Sequence, residues 1–145
     1  MIMQRLLMLL GAALVLTAAP LWAENAERFD GYTIHYNAFN ADLLDQRVAQ
    51  AYKLRTGCSD GVLTLALRKD DGSSAAADIT AGAVTLVGQR NGITMREVRD
   101  DKSVYYIGSF SIVSGAEPLK FAVTVRPEGG TREHSFDFSR QLFRC

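Results

Sequence analysis

Short runs of strict apolar and polar alternation, separated by turn residues at intervals of about 8–12 positions, leave this chain few folds other than a sandwich of β-sheets. The clearest run is residues 119–126, where Leu119, Phe121, Val123 and Val125 alternate with Lys120, Ala122, Thr124 and Arg126. A strand of that pattern has one buried and one wet face. Residues 62–68 repeat it with Leu63, Leu65 and Leu67 inward, and residues 104–113 with Tyr106, Phe110 and Ile112. Residues 131–138 follow Glu128-Gly129-Gly130, a strong turn signal, and should form a hairpin with the strand before them. Residues 83–87 and 93–99 read as two more strands joined by a turn containing Asn91-Gly92. Near the front, Tyr32, Ile34 and Tyr36 alternate with Thr33, His35 and Asn37 after a short polar lead. The count is about seven strands. Asp70-Asp71-Gly72-Ser73-Ser74 is a polar turn, and Ala75, Ala76 and Ala77 form a weakly structured lead after it.

One segment departs from the two-residue period. Leu44, Val48 and Tyr52 recur at helical spacing, and Asp45 stands where its carboxylate can cap a first turn. The spacing predicts a short helix over 45–52, covering one open end of the sandwich.

Residues 1–23 have the form of a secretory leader. Arg5 supplies the positive start, an apolar run covers 6–18, and Leu21-Trp22-Ala23 offers a small residue for cleavage before Glu24. The expectation is an exported chain starting at Glu24, with one domain over 24–145. The apolar run is shorter than the roughly 20 residues a membrane-spanning helix needs. No cysteine lies near the cleavage site, which argues against a lipid anchor, so no stable membrane anchor is expected. The 16 basic and 16 acidic residues balance and are interspersed, which argues against a nucleic-acid partner and gives no polybasic stripe for anionic lipid.

Cys58 and Cys145 are the only cysteines. In an oxidising compartment they permit one intramolecular bridge, tying the terminal strand back to the front of the domain. Two free thiols and a disulfide-linked dimer are the competing readings. A redox-active pair fits worst, since the chain has no Cys-x-x-Cys.

Candidate chemistry is sparse. His35 and His134 are the only imidazoles, and alternation sends His35 outward while His134 shares a face with Phe136 and Phe138. A joint metal site is therefore not expected, and Met95 reads as core filler beside Ile93. Ser109 falls within a strand and does not read as an activated nucleophile. Asp70-Asp71 and Asp100-Asp101 flank turns and read as solvated acids. Gly88 to Gly92 and Glu128-Gly129-Gly130 precede no helix, so neither is a phosphate cradle. Tyr105 and Tyr106 must face opposite ways, which directs one away from the core.

The runs YTIHYNAFNADLL (32–44), VAQAY (48–52), VLTLALRKDDG (62–72), VYYIGSFSI (104–112), LKFAVTVRPEGG (119–130) and SFDFSRQLF (135–143) resemble those of a family of exported proteobacterial proteins, domain-of-unknown-function family 4426. The resemblance covers nearly all of the chain after the leader. It implies an immunoglobulin-like sandwich in the periplasm and brings no catalytic residue to carry over. Family members are often encoded near methionine-biosynthesis genes. They usually lack the cysteine pair, so the resemblance lends the bridge no support, and many carry proline where this chain has Gln46.

The expectation for function is a non-catalytic periplasmic binding or interaction module with a protein partner and no cofactor. Its tools would be an exposed sheet edge and the surface around His35, Tyr36, Asn37 and Asn40. A plainer reading has the asparagines satisfying backbone groups at a strand-to-helix corner. The alternatives are a small hydrolase with His35 as base, or a metal carrier using His35.

Overall fold

In a computed structural model the described residues are 25–113 and 118–145, so the leader expected over 1–23 and the cleavage point before Glu24 lie outside the described residues. Among these described residues ten strands form, all pairing antiparallel: β1 (Ala26–Phe29), β2 (Tyr32–Asn40), β3 (Asp60–Lys69), β4 (Ser74–Ala75), β5 (Ala77–Val84), β6 (Arg90–Ile93), β7 (Arg96–Asp100), β8 (Ser103–Ser111), β9 (Leu119–Pro127) and β10 (His134–Arg140). One sheet runs β1-β2-β3-β8-β7 with β4 paired to β3, and the other runs β10-β9-β5-β6. The order β2-β3-β8-β7 facing β10-β9-β5 is the A-B-E-D and G-F-C arrangement of immunoglobulin domains, with β6 as an added edge strand.

Alternation builds the core as expected. Ile34, Leu63, Leu65 and Leu67 of one sheet meet Phe121, Val123 and Val125 of the other. Phe110 packs edge-on against Phe121 with centroids 4.9 Å apart. Tyr106 crosses the gap between the sheets, its hydroxyl accepting a 2.8 Å hydrogen bond from the Ala77 backbone N–H at the start of β5. Burial pushes the Tyr106 ionisation up, against a smaller opposing effect of that hydrogen bond. The folded state thus favours the neutral phenol, and the resulting stability is complete below the unfolded value of 10.0 and is lost as pH rises beyond it. Tyr106→Phe should cost about 1 kcal/mol at neutral pH, because the Ala77 N–H loses its acceptor. It should also flatten the alkaline fall in stability; denaturant melts at neutral and high pH would show both effects.

Several boundaries differ from the sequence reading. The polar lead before Tyr32 is a strand: β1 and β2 form a hairpin whose two turn residues, Asp30 and Gly31, have φ of 44° and 78°. Positive φ at both positions matches the right-handed twist of the flanking strands. The alanine-rich lead is also structured, since Ser74 and Ala75 pair with β3 and β5 begins at Ala77 rather than at 83. Asn91-Gly92 lies inside β6; the turn is 85–89, closed by the Thr85 N–H bond to the Gln89 carbonyl and by Gly88 at φ 82°. Residues 93–99 are not one strand, because the chain leaves the second sheet after Ile93 and enters the first at Arg96. Thr94 and Met95 make this step directly over Gly108, where a Cβ would stand 2.6 Å from the Thr94 carbonyl oxygen and 2.8 Å from Met95 Sδ.

The predicted helix is α1 (Gln46–Ala51), capped by Asp45, whose Oδ1 accepts from the Arg47 N–H at 2.7 Å. It does not cover an end of the sandwich. Leu44, Val48 and Tyr52 pack on Val62, Val98 and Ile107, which face outward from the first sheet. That outward apolar set gives the helix something to bury, and it explains why Val62 and Leu63 are both fully buried although they point opposite ways.

The end is crossed instead by the tail that follows β10. Leu142 is buried in the main core, the Asn40 side-chain amide donates to the Phe143 carbonyl at 2.6 Å, and Arg144 Nη1 donates to the Val113 carbonyl at 3.2 Å. Cys145 is bridged to Cys58 with Cα atoms 5.5 Å apart, which realises the intramolecular pairing. Residues 41–43, 57–59, 85–89, 112, 113, 118 and the tail therefore share this disulfide end. Turns 30–31, 70–73, 101–102 and 128–133 occupy the other.

Candidate functional site

The four residues singled out near the front of the chain do not converge. His35 and Asn37 are exposed on the outer face of the first sheet, in a shallow depression with Thr64, Ala66 and Tyr105. Tyr36 points the other way, its ring 5.2 Å from that of Phe136 and 4.3 Å from that of Phe138. Asn40 holds the tail, the backbone-satisfying role of the plainer reading. His35 makes no side-chain hydrogen bond or ion pair among the described residues, so nothing orients it as a general base. His134 sits beside the core as alternation requires, stacked on Phe29 at 4.5 Å with its Nε2 3.0 Å from Glu27 Oε1. No group of three or more His, Cys, Asp or Glu side chains stands together among the described residues.

The outward tyrosine is Tyr105, half-buried against the α1 segment. Its ionisation is pushed up by burial, with smaller contributions from Tyr52 and Asp100.

A deeper recess opens where the two sheets lose their edge partners. β7 pairs with β8 only over 103–107, so the far part of β8 has no β7 neighbour, and across the gap stands β6, an edge of the second sheet. Between them lies a cleft of about 230 Å³, floored by Ala83, Ile93, Phe110 and Leu119 and rimmed by Arg55, Asn91, Ser109 and Ser111. The Arg55 backbone N–H donates to Ser109 Oγ at 3.2 Å, its guanidinium to Ser111 Oγ at 3.3 Å, and its Nε lies 3.4 Å from Asp60 Oδ1. The arginine is thus held at the cleft mouth by three contacts. Both serine hydroxyls accept from Arg55 and no imidazole lines the cleft, so the arrangement suits recognition better than nucleophilic chemistry. The chain order hides this site, because its rim comes from three separate segments and each residue is ordinary where it stands. The clue in the sequence is the early end of the apolar run after Ile93, which leaves β8 longer than β7.

A family model described as "Domain of unknown function (DUF4426)" matches residues 26–144. The crystal structure of a DUF4426 family protein from Pseudomonas aeruginosa PAO1 is similar to this chain at a TM-score of 0.73 and 28% identity, covering 83% of this chain and 94% of that one. No curated protein matches.

Proposed function

Because the chain belongs to the DUF4426 family, a family without an assigned activity, we propose that it is a non-catalytic binding module, exported to the periplasm, that takes an extended protein segment into the cleft between β6 and β8. The observation carrying this reading is the cleft itself: an apolar floor between two sheet edges, with a fixed guanidinium at its mouth. An edge strand offers backbone donors and acceptors to an incoming strand, alternate side chains of which would enter the floor. Export is supported by the leader-like residues 1–23, and the Cys58–Cys145 bridge is compatible with an oxidising compartment. The surface of His35 and Asn37 with Tyr105 is a second contact area, favoured by its exposed polar groups beside a half-buried tyrosine.

A photo-crosslinking residue in place of Asn91, activated in cells, should give one discrete adduct, and Ser111→Trp, which fills the cleft, should remove it. The same probe at His35 reports the outer face. An adduct from position 35 alone would move the site there, and none from either position would end the binding-module reading. N-terminal sequencing of the exported protein should begin at Glu24.

A further inference from the structure

Inside the cleft β8 keeps an unused edge. Just beyond β8 the Ile112 N–H donates to the Ser59 carbonyl at 2.8 Å, whereas the Asp60 N–H, although opposite Ser111, donates to Gly57 instead. Backbone groups alternate in direction along an antiparallel strand, so those of Gly108 and Phe110 also face β3 and those of Ser109 and Ser111 face away from it. β7 fills that flank only as far as Arg96, opposite Ile107, and no other backbone among the described residues bonds Ser109 or Ser111 there. The groove beside these two residues is closed at one end. Thr94 and Met95 lie over Gly108, and from Arg96 onward β7 itself occupies the line that an added strand would follow. At the other end the cleft continues into the neighbouring shallow recess, since Thr85, Val113 and Leu119 line both. A strand entering from there has room opposite Ser111, Phe110 and Ser109, and then it must stop. A chain terminus meets that condition, whereas an internal segment would have to turn sharply out of the sheet.

We propose that the cleft receives the free C-terminus of another exported protein, added to β8 as an antiparallel strand. Its last residue stands opposite Ser109 with the carboxylate on the Ser109 N–H, and its penultimate side chain, on the same face as Phe110, sits on the apolar floor. The polarity of the lining selects this terminus over the other. Arg55 is the one charged side chain that lines the cleft; it shares its Nε with Asp60, which does not line it, and its Nη1 has no partner among the described residues. A terminal carboxylate thus meets donors, while a terminal ammonium group would meet no acid. The protein's own C-terminus is not the occupant, because Cys145 is bridged to Cys58. This inference rests on the binding-module reading and deepens it, fixing which part of the partner enters, in which direction and in which register.

The test is selection on the purified protein of peptides displayed with free C-termini and random over their last few positions, followed by synthesis of the selected sequence. A large apolar residue should be fixed at the penultimate position. The C-terminal amide of the same peptide should bind about tenfold more weakly or worse. N-methylation of the last or third-last residue, whose N–H would donate to the Ser109 or Ser111 carbonyl, should cost about as much. N-methylation of the penultimate residue, whose N–H points away from β8, should cost little. Ser111→Trp and Asn91→Trp, on opposite walls of the cleft, should each remove binding. No selected sequence, equal binding of acid and amide, or an N-methyl scan without alternation overturns the proposal. The crosslinked adduct from position 91 separates it from the reading on which it rests. An adduct mapped to the partner's last few residues supports both, and one mapped to the partner's interior overturns the terminus while leaving the binding module standing. No adduct from position 91 or 35 ends both.

Discussion

Replacing Cys58 and Cys145 together by serine is expected to cost about 4 kcal/mol of stability, within the usual range of about 2–5 for loss of a native disulfide. The bridge spans 87 residues, a loop long enough for the chain-entropy model to place its effect near the top of that range. The structure adds a local reason. The tail is held by the bridge, by the Asn40 amide and by burial of Leu142, and without the covalent tie the other two must order five residues unaided. Leu142 would then leave the core in a partly opened state. Thermal melts should show a fall of roughly 10–20 °C for the double variant, and the parent chain in reductant should match it. A fall of less than about 3 °C would mean that the tail contributes little to the stability of the sandwich.

Gly108→Ala is the second substitution expected to be severe, at about 2–3 kcal/mol, the upper part of the range for overpacking. The added methyl group would meet the Thr94 carbonyl oxygen at 2.6 Å, Ile93 Cγ2 at 2.7 Å and Met95 Sδ at 2.8 Å. The methionine can swing aside, but the carbonyl belongs to the backbone of the step between sheets and moves only if β6 or β7 moves with it. Gly92→Ala is the matched control, because nothing lies within 4 Å of its added atom and its φ is not in the left-handed region. Urea titrations of the two variants should therefore separate clearly. Equal midpoints would show that the step slides freely over β8.

These substitutions mark the boundary of what the residue pattern disclosed. Period-two alternation in β3, β8 and β9 named Leu63, Leu65, Leu67, Phe110, Phe121, Val123 and Val125 as core, and each is buried, because a half-buried strand has to alternate. The helix and its Asp45 cap were legible for the same kind of local reason. Asn91-Gly92 misled because the dipeptide permits a tight turn without requiring one, and Gly92 instead pairs with Gly82 inside a sheet. Asp30-Gly31 is a turn of the most readable type, yet Ala26–Phe29 is too polar to suggest a strand before it; β1 is only partly buried and takes its place from pairing with β2. The destination of the helix depended on Val62, Val98 and Ile107 meeting on the outer face, a tertiary coincidence with no periodic trace. The cleft was hidden for a related reason. Its chemistry arises from strands of unequal length ending near one another, whereas the HYNAFN motif is divided by the pleat between two faces and the tail contact.

The step at Thr94-Met95 also bears on the order in which the chain finds its shape. β5 with β6, and β7 with β8, are hairpins closed by short connections, and only two residues separate the pairs. When both hairpins have formed, that short link brings a piece of each sheet face to face before any distant strands have met. The costly long-range pairings, β3 with β8 and β5 with β9, can then add to a surface already folded back on itself. Assembly would proceed outward from the middle of the chain, so that slowing the step at Gly108 would retard folding more than loosening either outer hairpin.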